Sequence, residues 1–196
     1  MSVSDCASLA GNATKITARG FGWTHAGRSE AALSDIDVVI EPGERVLLCG
    51  DSGSGKSTLL AAMAGVLGSD EEGTRTGELL LEDSSGLVEE PGHTIPVGLV
   101  LQDPDSQVIS ARVGDDIAFG CENLAYPREE IWRRVTAAKE LVGPFVDLDF
   151  PTERLSGGQK QRLALAGVIA MGAGVVLLDE PTANLDPVSY THLRAH

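Results

Sequence analysis

A glycine-rich loop between two apolar segments limits the folds that this chain can adopt. The apolar run 46–49 (VLLC) precedes the loop 50–57 (GDSGSGKS), and apolar residues recur with helical spacing after it. We predict a buried strand over 45–49 and a helix over about 56–67, with one face formed by Leu59, Leu60, Met63, Val66 and Leu67. A strand, a glycine loop and a helix in this order indicate a mostly parallel α/β core.

The residues of this loop have the chemistry of a phosphate-binding site. Glycines allow backbone N–H groups to wrap the phosphates, and the N-terminus of the next helix adds free donors. Lys56 supplies a positive charge to the β- and γ-phosphate oxygens, and the Ser57 hydroxyl is a ligand for Mg²⁺. We therefore predict an ATP and Mg²⁺ site whose loop residues are Gly50, Asp51, Ser52, Gly53, Ser54, Gly55, Lys56, Ser57 and Thr58.

Two carboxylates follow a second apolar strand, predicted over 174–178. Asp179 and Glu180 come directly after this strand, and ligands bind at this edge of α/β sheets. Adjacent strand residues point to opposite sides, so the two carboxylates can have different roles. We expect Asp179 to hold Mg²⁺, directly or through water, and Glu180 to polarise the attacking water. The alternative is two acids at a solvated strand end.

The pentapeptide 155–159 (LSGGQ) predicts the start of a helix over 156–171. Ser156 and Gln159 have the spacing of a capping box, and capping alone explains both. It does not explain Gly157 and Gly158, because glycines weaken a first helical turn unless a ligand must approach the backbone closely. A capped helix start with glycines is an anion site. About one hundred residues separate Lys56 from Ser156, so this site need not serve the same nucleotide.

The remaining segments support an α/β domain with a helical insertion. We predict strands over 15–19, 37–40, 77–82 and 97–101, a turn over 41–44, an acidic loop over 83–94 and frayed residues over 1–13. From 103 to about 151 the pattern is helical. Pro127 suits the first position of a helix, and Gly143 suits its end. Between them, one apolar face is predicted to be buried, formed by Ile131, Val135, Ala138 and Val142.

Charge and cysteine content exclude some classes of partner. The formal net charge of −14 argues against nucleic acid or an anionic membrane surface as the main partner. The three cysteines have no metal-like spacing and suggest a reducing compartment, with Cys49 a buried small hydrophobe rather than a catalytic thiol. No apolar run approaches the ~18 residues of a membrane span, and no signal peptide is present. We expect any connection to the membrane to pass through another protein.

Taken together, residues 15–187 resemble an ATP-binding cassette (ABC) ATPase. The resemblance implies a P-loop NTPase core with an antiparallel β subdomain and an inserted α-helical subdomain at about 103–155, within a domain at 14–187. It makes Lys56 and Ser57 Walker A residues, Asp179 and Glu180 Walker B residues, and 183–186 a D-loop at the dimer interface. Ser156, Gly157, Gly158 and Gln159 then contact the γ-phosphate bound by a second protomer.

Two further roles follow from the resemblance alone. Gln102 matches the Q-loop, which touches Mg²⁺ and the attacking water, so that Ser57, Gln102 and Asp179 form the metal set. Trp23 lies where the family places an aromatic ring that stacks on adenine; the alternative for Trp23 is a half-buried strand residue. By the same resemblance, the catalytic residues are Glu180, Lys56 and Gln102.

A narrower resemblance concerns the segments 101–107 (LQDPDSQ), 113–120 (VGDDIAFG) and 122–124 (ENL). These are similar to the ATPases of energy-coupling factor importers for vitamins and cobalt or nickel, with Leu101 in place of a common Phe. The resemblance implies a transmembrane coupling subunit, a substrate-binding membrane component and a peripheral location at the cytoplasmic face of the membrane. Another ABC importer or exporter is the alternative. Soluble DNA-repair cassettes fit less well, because they insert long coiled coils and this chain has no sustained heptads.

The last nine residues do not resemble the family. The segment 188–196 (VSYTHLRAH) is the translation of GTC TCT TAT ACA CAT CTC CGA GCC CAC, a transposase adapter used in sequencing libraries. We expect a non-native tail here; a natural divergent tail is the alternative, and the codons distinguish the two. The family continues with a helix, a strand and a switch histidine, so the resemblance implies that this 196-residue form hydrolyses ATP poorly.

Overall fold

The antiparallel part of the structure is a four-stranded sheet. The structure, a computed structural model, describes residues 9, 11–68 and 72–180. The strand order is β2-β1-β3-β4, and the strands are β1 (Thr14–His25), β2 (Leu33–Ile40), β3 (Gly73–Asp83) and β4 (Val88–Glu89). The strands predicted over 15–19, 37–40 and 77–82 lie within the first three. β1 is longer than predicted because, beyond register shifts after Ala18 and Arg19, it continues to pair with β2 as far as Trp23 and with β3 as far as His25.

A second sheet is parallel and has two strands among the described residues. β5 (Val97–Val100) pairs with β6 (Val175–Leu178), with Val97 opposite Val175 and Val100 opposite Leu178. Parallel strands need a long crossover, and here helices supply it. These are α2 (Val113–Asn123), α3 (Arg128–Lys139) and α4 (Gly157–Ala170), with short 3₁₀ helices at Asp105–Gln107 and Thr152–Arg154. The predicted parallel pairing and inserted helical subdomain are confirmed.

Two hydrophobic clusters hold these elements together. In the helical cluster, Ile131, Val135 and Ala138 of α3 are buried as predicted, and so is Val142 in the turn that follows; all four are at most 9% exposed. α3 ends at Lys139, before the predicted stop at Gly143. The second cluster joins the antiparallel sheet to α1 (Lys56–Met63) and to Leu177 of β6. α4 also packs on β5, where a side chain at Gly98 would collide with Val168. This packing fixes α4 relative to the end of β5.

The predicted strand over 45–49 is wrong. Residues 44–50 have no regular secondary structure, and Val46, Leu47 and Leu48 are 55%, 85% and 41% exposed. A strand needs a hydrogen-bonded neighbour, and none of the described strands pairs with this segment. Cys49 is therefore exposed rather than buried.

Other boundaries also differ from the prediction. α1 ends at Met63 instead of Leu67, because Gly65 turns with a φ of 72° against Gly92. Val66 is consequently 65% exposed. The sequence predicts that β6 is buried on both faces, but only one face is: Leu177 is 8% exposed, whereas Val176 and Leu178, on the opposite face, are each 45% exposed. Pro127 immediately precedes α3 rather than being its first residue.

Some expectations lie outside the described residues: the D-loop at 183–186, the tail at 188–196 and most of the frayed segment 1–13. Among the helices that the structure describes, none has the length and apolar character needed to cross a membrane.

Candidate nucleotide-binding site

The glycine-rich loop leads directly into α1, as predicted. Gly55 is the residue before the helix and has a φ of 88°, which only glycine adopts easily. A Cβ there would also lie 2.6 Å from the Ala32 carbonyl oxygen, beside the start of β2. Gly53 has a φ of 80° and no atom within 4 Å of the position of a Cβ, so its outer side is open. The loop is thus shaped for close approach of a ligand to its backbone.

Lys56 folds back over this loop. Its Nζ donates to the Gly50 carbonyl oxygen at 2.9 Å and to the Asp51 carbonyl oxygen at 2.8 Å. The Ser54 N–H also donates to the Asp51 carbonyl, at 3.2 Å. These contacts hold a positive charge at the mouth of an exposed loop, where a phosphate group would bind.

Gln102 and Glu180 meet at the carboxyl ends of β5 and β6. The Asp179 N–H donates to the Val100 carbonyl at 2.8 Å, which extends the parallel pairing by one step. The Gln102 Nε2 then donates to Glu180 Oε2 at 3.1 Å. Glu180 is exposed and has a left-handed φ of 46°, so its backbone turns away from the line of β6. The structure therefore brings together two of the three predicted catalytic side chains.

The loop and this sheet edge are connected through α1. Leu59, Ala62 and Met63 of α1 belong to the same buried cluster as Leu177, which lies two residues before Asp179. Among the described residues, neither Ser57 nor Lys56 forms a hydrogen bond or ion pair with Asp179 or Glu180. The helix α1 is thus one described element that connects the two halves of the site.

The predicted metal residues fit magnesium by their chemistry. Ser57, Gln102 and Asp179 offer a hydroxyl, an amide and a carboxylate oxygen, and Mg²⁺ prefers oxygen ligands. No group of three His, Cys, Asp or Glu side chains lies close enough to hold a metal among the described residues. Such a sparse set suits Mg²⁺, which keeps several waters and uses substrate phosphates as ligands.

The capping box at the start of α4 is confirmed. The Gln159 N–H donates to the Ser156 Oγ at 3.3 Å, and the Ser156 N–H donates to the Gln159 Oε1 at 2.9 Å. Leu155 is 5% exposed and anchors the helix start, whereas Ser156 and Gly157 are exposed. A Cβ at Gly157 would meet no atom within 4 Å. Nothing in the described structure therefore requires glycine at this position.

Trp23 does not present its ring to a ligand, which corrects its assignment. It is 4% exposed and lies in the core of the antiparallel sheet. Its Nε1 donates to the His25 Nδ1 at 3.2 Å, and its ring lies against Gly73, where a Cβ would be 2.2 Å from Trp23 Cζ2. Stacking on adenine needs an open ring face, so the structure favours the alternative of a strand residue, although Trp23 is buried rather than half-buried.

Sequence reasoning gave no role to a group of side chains beside Gln102. Gln107 bonds to the backbone of Leu101, and Lys160 of α4 forms an ion pair with Asp105. Gln102 and Gln107 both belong to the motif 101–107. The spacing of the motif cannot show that the Gln107 side chain folds back onto Leu101.

The comparison with known families agrees with the order of these elements. The ABC transporter family matches residues 33–183, from the start of β2 to beyond Glu180. The chain belongs to the ABC transporter family. An ABC relative, the energy-coupling factor transporter ATP-binding protein EcfA1 of Caldanaerobacter subterraneus subsp. tengcongensis, is 42% identical over 161 residues. That alignment covers 82% of this chain and 57% of the relative.

Other ABC proteins are similarly close. The energy-coupling factor transporter ATP-binding protein EcfA of Methanocaldococcus jannaschii is 43% identical over 164 residues, covering 81% of this chain and 56% of the relative. The chain thus spans little more than half the length of these curated relatives.

Two solved ABC structures share the fold. The structure of cbiO1 from Clostridium perfringens, described as part of the ABC transporter complex cbiONQ, has a TM-score of 0.72 at 33% identity and covers 91% of this chain and 70% of its own. A dimeric ATP-binding cassette with ADP and Pi bound has a TM-score of 0.69 at 22% identity, over 89% of this chain and 77% of its own. The predicted P-loop ABC fold is confirmed.

Proposed function

We propose that this chain is the ATP-hydrolysing cassette of an ABC importer of the energy-coupling factor type. The proposal combines three local structures: the loop 50–57, the Gln102–Glu180 pair and the capped start of α4. The observation that carries it is Gly157, which is exposed, has open space around it and weakens a helix start that is otherwise well capped. A glycine without an internal reason implies an external ligand that approaches the backbone.

The loop residues bind the nucleotide in this proposal. Lys56 already holds its charge at the loop mouth, and the glycines leave the backbone N–H groups accessible. Ser57, Asp179 and Gln102 are the residues that would hold Mg²⁺ with ATP. When bound, the ion neutralises phosphate charge that develops during hydrolysis.

Glu180 is the residue that orients and polarises water. Its carboxylate is exposed at the sheet edge and accepts from Gln102, so its position is set by a neutral donor. Gln102 thereby holds Glu180 in place. Positioned groups of this kind contribute by orientation rather than by binding strength.

The start of α4 acts on a nucleotide bound to a second copy of the cassette. Ser156 and Gly157 are exposed, and the helix dipole and free N–H groups of α4 attract a phosphate. The dimeric ATP-binding cassette of similar fold supports an arrangement of two cassettes. ATP would bring two protomers together, and hydrolysis would release them.

The importer assignment rests on the relatives and on the segment 101–107. EcfA1 and EcfA are named as energy-coupling factor transporter ATP-binding proteins, and cbiO1 is described as part of a transporter complex. We infer a peripheral position at the cytoplasmic face of the membrane. The partners would be a transmembrane coupling subunit and a substrate-binding membrane component, and the substrates would be vitamins or transition-metal ions.

ATPase activity of the full-length protein tests the catalytic part of the proposal. Glu180→Gln should reduce the turnover rate at least about 100-fold while ATP binding is retained, because a general base typically contributes 10²–10⁴-fold. Glu122→Gln, an exposed acid on α2, is the matched control. Activity that survives the change at Glu180 would disprove the role given to that residue.

The importer part has a separate test. The membrane proteins encoded beside the full gene can be co-expressed with the cassette and purified through an affinity tag on the cassette. Co-purification of a coupling protein with a small substrate-binding membrane protein supports the energy-coupling factor type. A stable complex with a single large transporter subunit alone would contradict it.

A further inference from the structure

At the end of β5, the Gln107 side chain makes the two backbone hydrogen bonds that a neighbouring strand would otherwise make. Its Oε1 accepts from the Leu101 N–H at 2.9 Å, and its Nε2 donates to the Leu101 carbonyl at 3.0 Å. The Val100 carbonyl points to β6, where it accepts from Asp179. In a strand, the N–H and C=O of one residue point to one side, and those of the next residue point to the other side. The backbone groups of Leu101 therefore point away from β6. One side-chain amide thus satisfies both backbone groups of the residue before Gln102.

The turn that carries Gln107 is internally bonded. Asp103 Oδ1 accepts from the Asp105 N–H at 3.1 Å, and the Ser106 hydroxyl donates to the Asp103 carbonyl at 2.8 Å. Gln107 Nε2 also lies 3.3 Å from that same carbonyl. Segment 103–107, which we call the clamp turn, is therefore a compact unit. It begins directly after Gln102, and its last residue, Gln107, bonds to Leu101 directly before Gln102.

The clamp turn is also fastened to α4. Lys160, which lies four residues after the cap Ser156, forms an ion pair with the Asp105 carboxylate. The Lys160 side chain is only 16% exposed, so its stem is packed rather than free in solvent. Lys160 and Asp105 thus connect the start of α4 to the turn that carries Gln107.

We propose that Gln107 is a positioning residue that sets the orientation of Gln102 toward Glu180 and couples that orientation to the start of α4. This inference rests on the proposed function, in which Glu180 orients water. Gln102 contacts Glu180 at 3.1 Å, and Gln107 holds the peptide unit immediately before it. Gln107 itself does not touch Glu180; it acts through Leu101.

The first measurement is amide hydrogen exchange in the full-length protein. Gln107→Leu should accelerate exchange of the Leu101 N–H at least about 10-fold, because its acceptor is removed. The Asp179 N–H, which bonds to Val100, should be unaffected and serves as the internal reference. Gln107→Glu keeps an acceptor for the Leu101 N–H but places a carboxylate oxygen against the carbonyls of Leu101 and Asp103. Protection of the Leu101 amide in this variant should therefore be intermediate.

The second measurement is steady-state ATPase kinetics on the same variants. Gln107→Leu should lower kcat about 10- to 100-fold, the effect expected for a misplaced catalytic group, with KM for ATP changed less than about twofold. Ser85→Ala removes a hydroxyl hydrogen bond to Asp83 in an exposed turn outside the clamp turn and should leave kcat unchanged. A merely structural role of Gln107 would lower the stability of the Gln107→Leu variant without this split between kcat and KM.

The coupling to α4 is tested by a double-mutant cycle on kcat. Asp105→Ala and Lys160→Ala should each lower kcat, and the double variant should be no worse than the more impaired single variant. The Lys15–Glu41 pair, between β1 and the turn after β2, provides the control cycle, in which no change of kcat is expected. Additive losses at Asp105 and Lys160 would disprove the coupling to α4.

The possible results distinguish a failure of the positioning role from a failure of the proposed function. If Gln107→Leu releases the Leu101 amide but leaves kcat within twofold of wild type, the positioning role is wrong. If the Leu101 amide exchanges equally fast in wild type and variant, the clamp itself is wrong. If the wild-type protein has a clamped Leu101 but no ATPase activity that depends on Glu180, the proposed function fails and the positioning role fails with it.

Discussion

Gly157→Ala should make the chain more stable and the cassette less active. The first residue of α4 is a glycine in open space, so an added methyl group meets no steric resistance. Alanine is favoured over glycine in a helix by roughly 0.5–1 kcal/mol, and the smaller figure suits a first turn. For a domain of this size, about 0.5 kcal/mol raises Tm by roughly 1–2 °C. Denaturant titration and thermal unfolding of this chain measure the change.

Function should change in the opposite direction. If a phosphate of a second protomer approaches the backbone at Gly157, the methyl group blocks it. ATP-dependent dimerisation, measured by size-exclusion chromatography in a full-length Glu180→Gln background, should be lost, and ATPase activity of the single variant should fall at least about 10-fold, since roughly 1.4 kcal/mol of lost contact is enough.

Gly86→Ala provides a comparison within the same protein. A Cβ at Gly86 also meets no atom within 4 Å, but the φ of 84° strains any other residue, so this change should cost about 1–2 kcal/mol. The two substitutions distinguish backbone strain from ligand approach. A Gly157→Ala variant that is more stable and still dimerises and hydrolyses ATP within twofold of wild type would refute the reasoning, and the pentapeptide would be a helix start only.

Three further predictions concern the stability of this chain. Ser156→Ala removes half of the capping box and should lower the free energy of unfolding by about 1 kcal/mol in denaturant titration; an unchanged midpoint would contradict the cap. Gln161 is 7% exposed, and its amide atoms have no partner among the described residues, so Gln161→Met should stabilise the chain by roughly 1 kcal/mol, whereas a loss of stability would reveal a partner. Arg133, and then Arg134, lower the pKa of Glu130 to about 2 from 4.5, so this carboxylate contributes stability above pH 4.5 that is lost as the pH falls toward 2. Glu130→Gln should therefore flatten the acid limb of a pH–stability curve, with Glu129→Gln as control; an unaltered limb would contradict the ion pair.

Features that depend on neighbouring residues in sequence were predicted well. The capping box, the turn over 41–44 and the buried face of α3 follow from side-chain spacing, and the structure contains all three. Each is formed within one or two turns of chain, so its physical cause is visible in the sequence. The glycine loop belongs to the same class, because its positive φ values and its lysine contacts are local.

Features that depend on distant partners were not predictable in the same way. The apolar segment 46–48 has the composition of a buried strand, yet it is exposed because no described strand pairs with it. Trp23 was assigned from a family position, but the core around Gly73 decides where its ring lies. The clamp at Leu101 needs the chain to turn back over six residues, and a glutamine in a polar motif gives no signal of this.

The two halves of the candidate site differ in the same way: one is formed by residues close in sequence and the other by distant residues. The loop 50–57 keeps its shape through Lys56, Gly55 and the first turn of α1, although the segment before it is unpaired. The Gln102–Glu180 contact, in contrast, depends on the parallel pairing of β5 with β6 and on the clamp turn. The loop and the Gln102–Glu180 contact therefore rest on different interactions. If they serve nucleotide binding and catalytic alignment as proposed, substitutions in the loop should affect affinity for ATP, and substitutions around Leu101 should affect turnover.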